Sequence, residues 1–128
     1  MIKLTIIGAG SAVFTKNIVT DLLSVDAFKN MEIALQDIDP VRLKASHELL
    51  NVIAEKLNAS PTITSHADRR ESLGGADFVQ TTIQVGGYKP STVIDFEIPS
   101  QYGLKQTIAD TLGIGGIMRA LRTIPVLL

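Results

Sequence analysis

Two glycines separated by one residue follow the first apolar segment of the chain. Residues 2–7 are mostly apolar and β-branched, and residues 8–11 read Gly-Ala-Gly-Ser. Such a turn between a strand and a helix presents backbone N–H groups to a diphosphate, because Gly8 permits a tight turn and Gly10 permits close approach of the backbone. A glycine pair alone also ends strands for structural reasons, and Val13 occupies the third position of the usual glycine pattern.

An acidic side chain follows the second apolar segment. Asp37 comes roughly two dozen residues after the glycine turn, close to the ~20 expected of a carboxylate that binds a ribose. Asp37 would accept hydrogen bonds from both ribose hydroxyls and repel a 2′-phosphate, so the pattern favours NAD over NADP. The alternative is that Asp37 only ends a strand. Asp39 is the rival acid, although Asp39-Pro40 is typical of a helix N-cap followed by proline at the first helical position.

The composition excludes several classes of site. The chain has 128 residues, a net charge of −1, two histidines and no cysteine, with a mean hydropathy of +0.26. This charge argues against a nucleic-acid or membrane surface, and the missing cysteine excludes disulfides and thiolate metal ligands. No segment approaches the ~20 apolar residues of a membrane-spanning helix. We therefore expect a cytoplasmic protein with no metal site in this chain.

Alternating strand and helix patterns predict an α/β fold, a Rossmann-like doubly wound parallel sheet that is incomplete, as one domain over residues 1–128. The predicted strands cover residues 2–7, 32–37, 62–65 and 77–83, and the predicted helices cover residues 12–25, 40–57, 69–73 and 117–128. Val13 is assigned to the apolar stripe of the first helix, and the fourth strand is typical of strands buried on both faces. Right-handed crossovers give the strand order 3-2-1-4, so a ligand belongs at the carboxyl ends of strands one and four.

A second glycine-rich segment precedes the last predicted helix. Gly113, Gly115 and Gly116 follow Asp110 and two threonines. This composition predicts a mobile, ligand-facing loop that leads to a helix N-terminus, and a flexible connector is the alternative.

The succession of these motifs resembles the N-terminal part of glycoside hydrolase family 4, and within it the α-galactosidase branch. The matching segments are residues 8–14, 36–39, 84–88, 95–103 and 110–125. The resemblance covers essentially the whole chain, and the last segment is the most diagnostic.

The resemblance implies an unusual route of glycoside hydrolysis. In this family, NAD oxidises the sugar at C3, and a divalent metal, usually Mn²⁺, polarises the ketone. The aglycone then leaves by elimination, water adds and the ketone is reduced. The resemblance also implies a small-molecule glycoside as substrate, a homo-oligomeric full-length enzyme and often a reducing environment.

Several residues of this chain are candidates for contacts in such a site. The cofactor-binding candidates are Gly8, Gly10, Ser11, Phe14, Asp37 and Ile83, and the substrate-binding candidates are Gln84 and Asp110. Gln84 stands where members acting on 6-phosphorylated sugars usually carry arginine, so the resemblance implies an unphosphorylated sugar, because a phosphate would lack its cation. Val13 and Ile114 depart from the family pattern, which has a small residue and often proline there.

The metal-binding Cys and His of the family, and its catalytic acid and base, lie beyond the last residue of this sequence. We therefore expect an N-terminal fragment without catalytic or metal-binding residues, inactive by itself. One alternative is the NAD-binding domain of a lactate/malate-type dehydrogenase, which shares the turn and the acid but lacks the pattern of residues 110–125. The other is a non-catalytic nucleotide-binding module, against which the apolar end of the chain argues.

Overall fold

A computed structural model describes residues 1–107 and 112–128. The chain divides into two compact units, residues 1–83 and residues 84–128. The single domain over residues 1–128 stays a prediction. In the part of the chain that the structure describes, no helix is both long and apolar enough to cross a membrane.

The first unit is a parallel sheet with helical connections. Its strands are β1 (Lys3–Ile7), β2 (Glu32–Gln36), β3 (Thr62–His66) and β4 (Phe78–Thr81), and its helices are α1 (Ala12–Leu23), α2 (Pro40–Lys56) and the short α3 (Arg69–Leu73), with one 3₁₀ turn at Asp26–Phe28. All pairings are parallel, in the order β3-β2-β1-β4. The predicted fold class and strand order are confirmed.

The register brings three strand ends to the same level. Ile7, the last residue of β1, pairs with Gln36 of β2 and with Thr81 of β4. The segments that follow these three strands therefore leave the sheet side by side, where ligands bind in doubly wound folds.

The core of the first unit forms where the sheet packs against α1 and α2. Strand residues and one stripe of each helix are buried together, namely Leu4, Ile6, Ile33, Leu35, Val19, Leu23, Leu43, Leu50 and Ala54. Each large side chain buried in this way contributes about 1.5–3 kcal/mol, which holds the strand ends in place beneath the site.

Two expectations about buried faces are wrong. Val13 is 64% exposed, and Thr15 is buried in its place, where its hydroxyl donates to the Ala9 carbonyl at 3.0 Å. A polar contact thus sets the orientation of the first turn of α1. Phe78 and Val79 of β4 are 63% and 52% exposed, because β4 is an edge strand here and pairs with β1 alone.

The second unit contains two helices, α4 (Val93–Gln101) and α5 (Ile114–Leu127). An irregular turn at Gly87–Thr92, with extended backbone at Lys89, precedes α4. The sequence did not predict α4, because Pro99 lies inside it. The last helix begins at Ile114, three residues earlier than predicted, so Gly115 and Gly116 belong to its first turn.

Candidate functional site

The turn between β1 and α1 is held by backbone hydrogen bonds to β2. The N–H groups of Gly8 and Ala9 donate to the Gln36 carbonyl at 2.9 and 2.8 Å, and the N–H of Ser11 donates to the Gly8 carbonyl at 3.1 Å. These bonds reverse the chain so that α1 starts directly after Ser11, with its N-terminus at the carboxyl edge of the sheet.

Position 8 must be glycine because the segment that follows β4 packs directly against it. Its φ is +83°, and a Cβ on it would collide with the Thr82 carbonyl oxygen and lie 2.9 Å from Ile83 Cγ2. The Thr82 hydroxyl lies 3.3 Å from the Ile7 and Gly8 carbonyl oxygens. Ile83, a cofactor-binding candidate, therefore packs directly on the glycine turn.

The carboxylate of Asp37 joins the two strand–helix turns. Its Oδ2 accepts the N–H of Gly10 at 2.7 Å, and its Oδ1 accepts the N–H of Asp39 at 2.9 Å. A Cβ on Gly10 would lie 2.7 Å from Asp37 Oδ2 and 2.8 Å from Arg42 Cβ. Gly10 thus permits close approach to Asp37, whereas the sequence pattern predicts that it permits close approach to a ligand. Each carboxylate oxygen keeps a further lone pair for another donor.

Asp39 caps helix α2, and this prediction is confirmed. Its Oδ1 accepts the N–H groups of Val41 and Arg42 at 2.9 and 3.1 Å, and Pro40 is the first helical residue. Its Oδ2 lies 3.4 Å from Arg42 Nε. Asp39 is thus engaged by the start of α2, whereas Asp37 is engaged by the two strand–helix turns.

The first turn of α1 offers backbone donors. The Ser11 side chain does not cap the helix, and the N–H groups of residues 12–14 have no acceptor among the residues that the structure describes. A helix N-terminus with free N–H groups and a positive dipole end attracts anions. Phe14 lies in this turn and is exposed. Val13 also points outward, which explains how a β-branched side chain can occupy the third position of the glycine pattern.

Two buried hydroxyls, which the sequence pattern does not indicate as site residues, hold the glycine turn by hydrogen bonds from α1 and α2. Thr15 of α1 and Ser46 of α2 both donate to the Ala9 carbonyl, at 3.0 and 2.8 Å. The sequence feature that could have indicated these two contacts is a small hydroxyl residue on the buried face of each helix.

A buried ion pair organises the second unit. The Asp95 side chain is 3% exposed, and Arg122 donates to both of its oxygens, with 2.9 Å from Nη1 to Oδ1. Arg122 Nε also donates to the Val85 carbonyl at 3.0 Å, and Arg119 Nε lies 3.7 Å from Asp95 Oδ2. The hydrogen bond from Arg122 is the main cause that lowers the pKa of Asp95 below 3.8, and it raises the pKa of Arg122.

The substrate-binding candidates belong to the second unit. Gln84 is exposed, and its Nε2 donates to the Thr92 hydroxyl at 2.6 Å. Asp110 lies outside the described residues. Gly115 donates its N–H to Gln106 Oε1 at 3.0 Å, and a Cβ on it would collide with the Asp95 carbonyl oxygen. Gly115 therefore allows α5 to pack closely against α4, whereas its sequence context predicts a ligand-facing loop.

The structure thus gathers most cofactor-binding candidates around one turn. Gly8, Gly10, Ser11, Asp37 and Ile83 surround the start of α1 in the first unit. Within residues 1–107 and 112–128, no group of three or more His, Cys, Asp or Glu side chains could hold a metal ion.

A parallel sheet with a glycine turn after β1 and a fixed carboxylate after β2 defines the dinucleotide-binding class of α/β folds. The profile of the family described as "Family 4 glycosyl hydrolase" matches residues 3–128. The chain belongs to this family, as its sequence predicts.

Relatives and solved structures agree with this membership. The chain is 58% identical to an α-galactosidase of Bacillus subtilis (strain 168) over 99% of its own length and 29% of that enzyme. It is similar to the structure of the 6-phospho-β-glucosidase from Thermotoga maritima with NAD and glucose-6-phosphate, with a TM-score of 0.82, 25% identity and coverage of 98% of this chain and 29% of that one. A second structure of that enzyme, with manganese, NAD⁺ and glucose-6-phosphate, has a TM-score of 0.80 at 25% identity, with coverage of 99% and 29%.

Replacing Gly8 with alanine should destabilise the first unit more than replacing Gly75 does. Both glycines have positive φ, +83° and +72°, but a Cβ on Gly75 meets nothing within 4 Å. Gly75→Ala should cost about 1–2 kcal/mol of backbone strain, and Gly8→Ala should add about 1–3 kcal/mol of overpacking. Urea unfolding of both variants measures the difference, and equal losses would contradict the packing of Thr82 and Ile83 on the turn.

Acidification should loosen the second unit through Asp95. Because its folded-state pKa lies below 3.8, its contribution to stability is present above that pH. This contribution is lost as the pH falls from 3.8 through the lower folded-state value. Hydrogen exchange of α5 amides, corrected for the intrinsic rate, should accelerate in that range. The Asp95→Asn variant should already exchange faster at pH 7 and lack this pH dependence, and an unchanged dependence would rule out Asp95 as its source.

Proposed function

We propose that residues 1–128 are the NAD-binding domain at the N-terminal end of a family 4 glycosidase that hydrolyses α-galactosides. The observation that carries the cofactor assignment is the Asp37 carboxylate, which two backbone N–H groups orient beside a helix start with free donors. The structures of Thermotoga maritima 6-phospho-β-glucosidase with NAD support the same cofactor.

The residues around the turn fit NAD. The N–H groups of residues 12–14 and the Ser11 hydroxyl would hold the pyrophosphate, and the spare lone pairs of Asp37 would accept the two ribose hydroxyls. Ile83 adds an apolar surface against the turn. Bound NAD would supply a hydride acceptor for oxidation of the sugar, and the role of this unit is to fix its adenosine half.

The arginines of the second unit support an unphosphorylated sugar. Gln84 is neutral, and Arg122, which contacts the neighbouring Val85 carbonyl, already makes a two-point pair with Asp95. Arg119 faces the same carboxylate. A sugar phosphate near Gln84 would therefore have to compete with Asp95 for these cations. The 58% identity to an α-galactosidase supports the same choice.

The remaining features of the full-length enzyme stay predictions. They are Mn²⁺ held by residues outside this chain, oxidation at C3 followed by elimination, assembly into a homo-oligomer and a cytoplasmic location. The structure of a family relative with manganese supports the metal. The family match over residues 3–128 leaves the dehydrogenase and the non-catalytic module without support.

Asp37→Asn should weaken NAD binding, because it removes a charged acceptor for the ribose hydroxyls. The expected loss is about 1–3 kcal/mol in the binding free energy measured by calorimetry. Asp39→Asn keeps a capping side chain on α2 and is the matched control, with NAD affinity near that of the wild type. Equal NAD affinity of Asp37→Asn and the wild type would refute the ribose assignment.

A chimera tests the α-galactosidase assignment. Residues 1–128 would replace the matching part of the Bacillus subtilis α-galactosidase, and the product should hydrolyse p-nitrophenyl α-galactoside with NAD, Mn²⁺ and a reductant. The 128-residue chain alone should show no turnover. Gln84→Arg in the chimera should raise KM for the unphosphorylated galactoside and lower it for the 6-phosphate. Turnover by the chain alone, or no effect of Gln84→Arg, would contradict the proposal.

A further inference from the structure

Two hydroxyl residues in the helices of the first unit do not make the local hydrogen bond that is usual for their type. Thr20, Ser24 and Ser72 each donate to a carbonyl three or four residues earlier, as serine and threonine commonly do in helices. Thr15 and Ser46 instead donate to the Ala9 carbonyl, six and 37 residues away. These two side chains are therefore directed at one peptide group of the glycine turn.

The peptide group between Ala9 and Gly10 is held at both ends. Its carbonyl accepts the hydroxyls of Thr15 and Ser46 at 3.0 and 2.8 Å, and its N–H donates to Asp37 Oδ2 at 2.7 Å. Ala9, Thr15 and Ser46 are 0%, 1% and 3% exposed, so water does not compete for the carbonyl. Both lone pairs of the carbonyl oxygen are thus used by side chains.

The glycine in this peptide group allows a second orientation. Rotation of the group would turn the Ala9 carbonyl outward and the Gly10 N–H away from Asp37, and Gly10 accepts backbone angles that other residues avoid. In that orientation the hydroxyls of Thr15 and Ser46 would be buried donors without this acceptor, which is costly. The two hydroxyls therefore favour the orientation in which the Gly10 N–H reaches the carboxylate.

We propose that Thr15 and Ser46 are positioning residues for the cofactor. They hold the Ala9–Gly10 peptide group so that its N–H orients the Asp37 carboxylate, which would accept the ribose hydroxyls. The proposal rests on the proposed NAD site. Both side chains are buried behind the turn, so they act through the peptide group and not by contact with NAD.

Calorimetry with NAD tests this role in variants that lack the hydroxyls. Thr15→Val keeps most of the side-chain shape, and together with Ser46→Ala it removes both donors from the Ala9 carbonyl. The double variant should bind NAD about tenfold or more weakly, because the apparent affinity falls with the fraction of molecules in the competent orientation. Thr15→Ser, which keeps the hydroxyl, should bind NAD better than Thr15→Val.

Thr5→Val is the matched control for lost stability. Thr5 is a fully buried threonine whose hydroxyl donates to the Ser72 carbonyl at 2.8 Å, so this variant also loses a buried hydrogen bond in the first unit. It does not touch the glycine turn. Thr5→Val should therefore be destabilised in urea unfolding and keep the NAD affinity of the wild type.

The NMR signal of the Gly10 amide reports the orientation of the peptide group without any ligand. A strong hydrogen bond to a carboxylate moves an amide proton downfield and slows its exchange with water. In the Thr15→Val/Ser46→Ala variant this signal should move upfield and exchange faster, and in Thr5→Val it should stay in place.

The outcomes separate this inference from the cofactor assignment. A folded double variant with an unchanged Gly10 amide or with wild-type NAD affinity would overturn the positioning role, and so would an equal loss of affinity in Thr5→Val. Failure of the wild type to bind NAD would contradict the NAD assignment, while the Gly10 amide would still decide whether the hydroxyls orient the peptide group. Circular dichroism checks folding, and the single variants, each of which keeps one donor on the Ala9 carbonyl, replace the double variant if it unfolds.

Discussion

The two hydrogen bonds to the Asp37 carboxylate are the constraint on which the arrangement of the candidate nucleotide site depends. One comes from Gly10 in the turn after β1 and the other from Asp39 in the turn after β2. Since β1 and β2 end at the same level, a single side chain makes the two turns one structural piece. The start of α1, the cap of α2 and the position of the Asp37 carboxylate are therefore not independent features of this chain.

The Ala9 carbonyl is a second point at which hydrogen bonds hold the glycine turn. Thr15 and Ser46 donate to it from two different helices, and both side chains are buried. Buried hydroxyls without an acceptor would be costly, so these contacts stabilise one arrangement of the turn against others. A turn that is fixed before a ligand arrives loses less conformational freedom on binding.

The sequence predicts those parts of the fold that depend on local pattern and chain topology. The strand order follows from the right-handedness of the crossovers that join parallel strands, and the cap of α2 follows from the adjacent residues Asp39 and Pro40. The buried pair of Asp95 and Arg122 joins positions 27 residues apart, and no local spacing indicates it. Helix α4 was missed for a related reason, since a buried proline in its last turn reads as a helix breaker. Whether such a helix or ion pair forms depends on tertiary packing, which cannot be inferred from a single sequence.

The hydrogen bond between Gln84 and Thr92 has a consequence for the groups that the Gln84 side chain can still bind. The Gln84 amide nitrogen donates one of its two hydrogens to the Thr92 hydroxyl, so one N–H and the amide oxygen remain for other partners. A hydroxyl group, which both donates and accepts, can pair with either of these atoms, whereas a group that carries only acceptors can pair with the remaining N–H alone. Thr92 thereby shifts the remaining hydrogen-bonding capacity of Gln84 toward groups that donate a hydrogen, without itself contacting such a group.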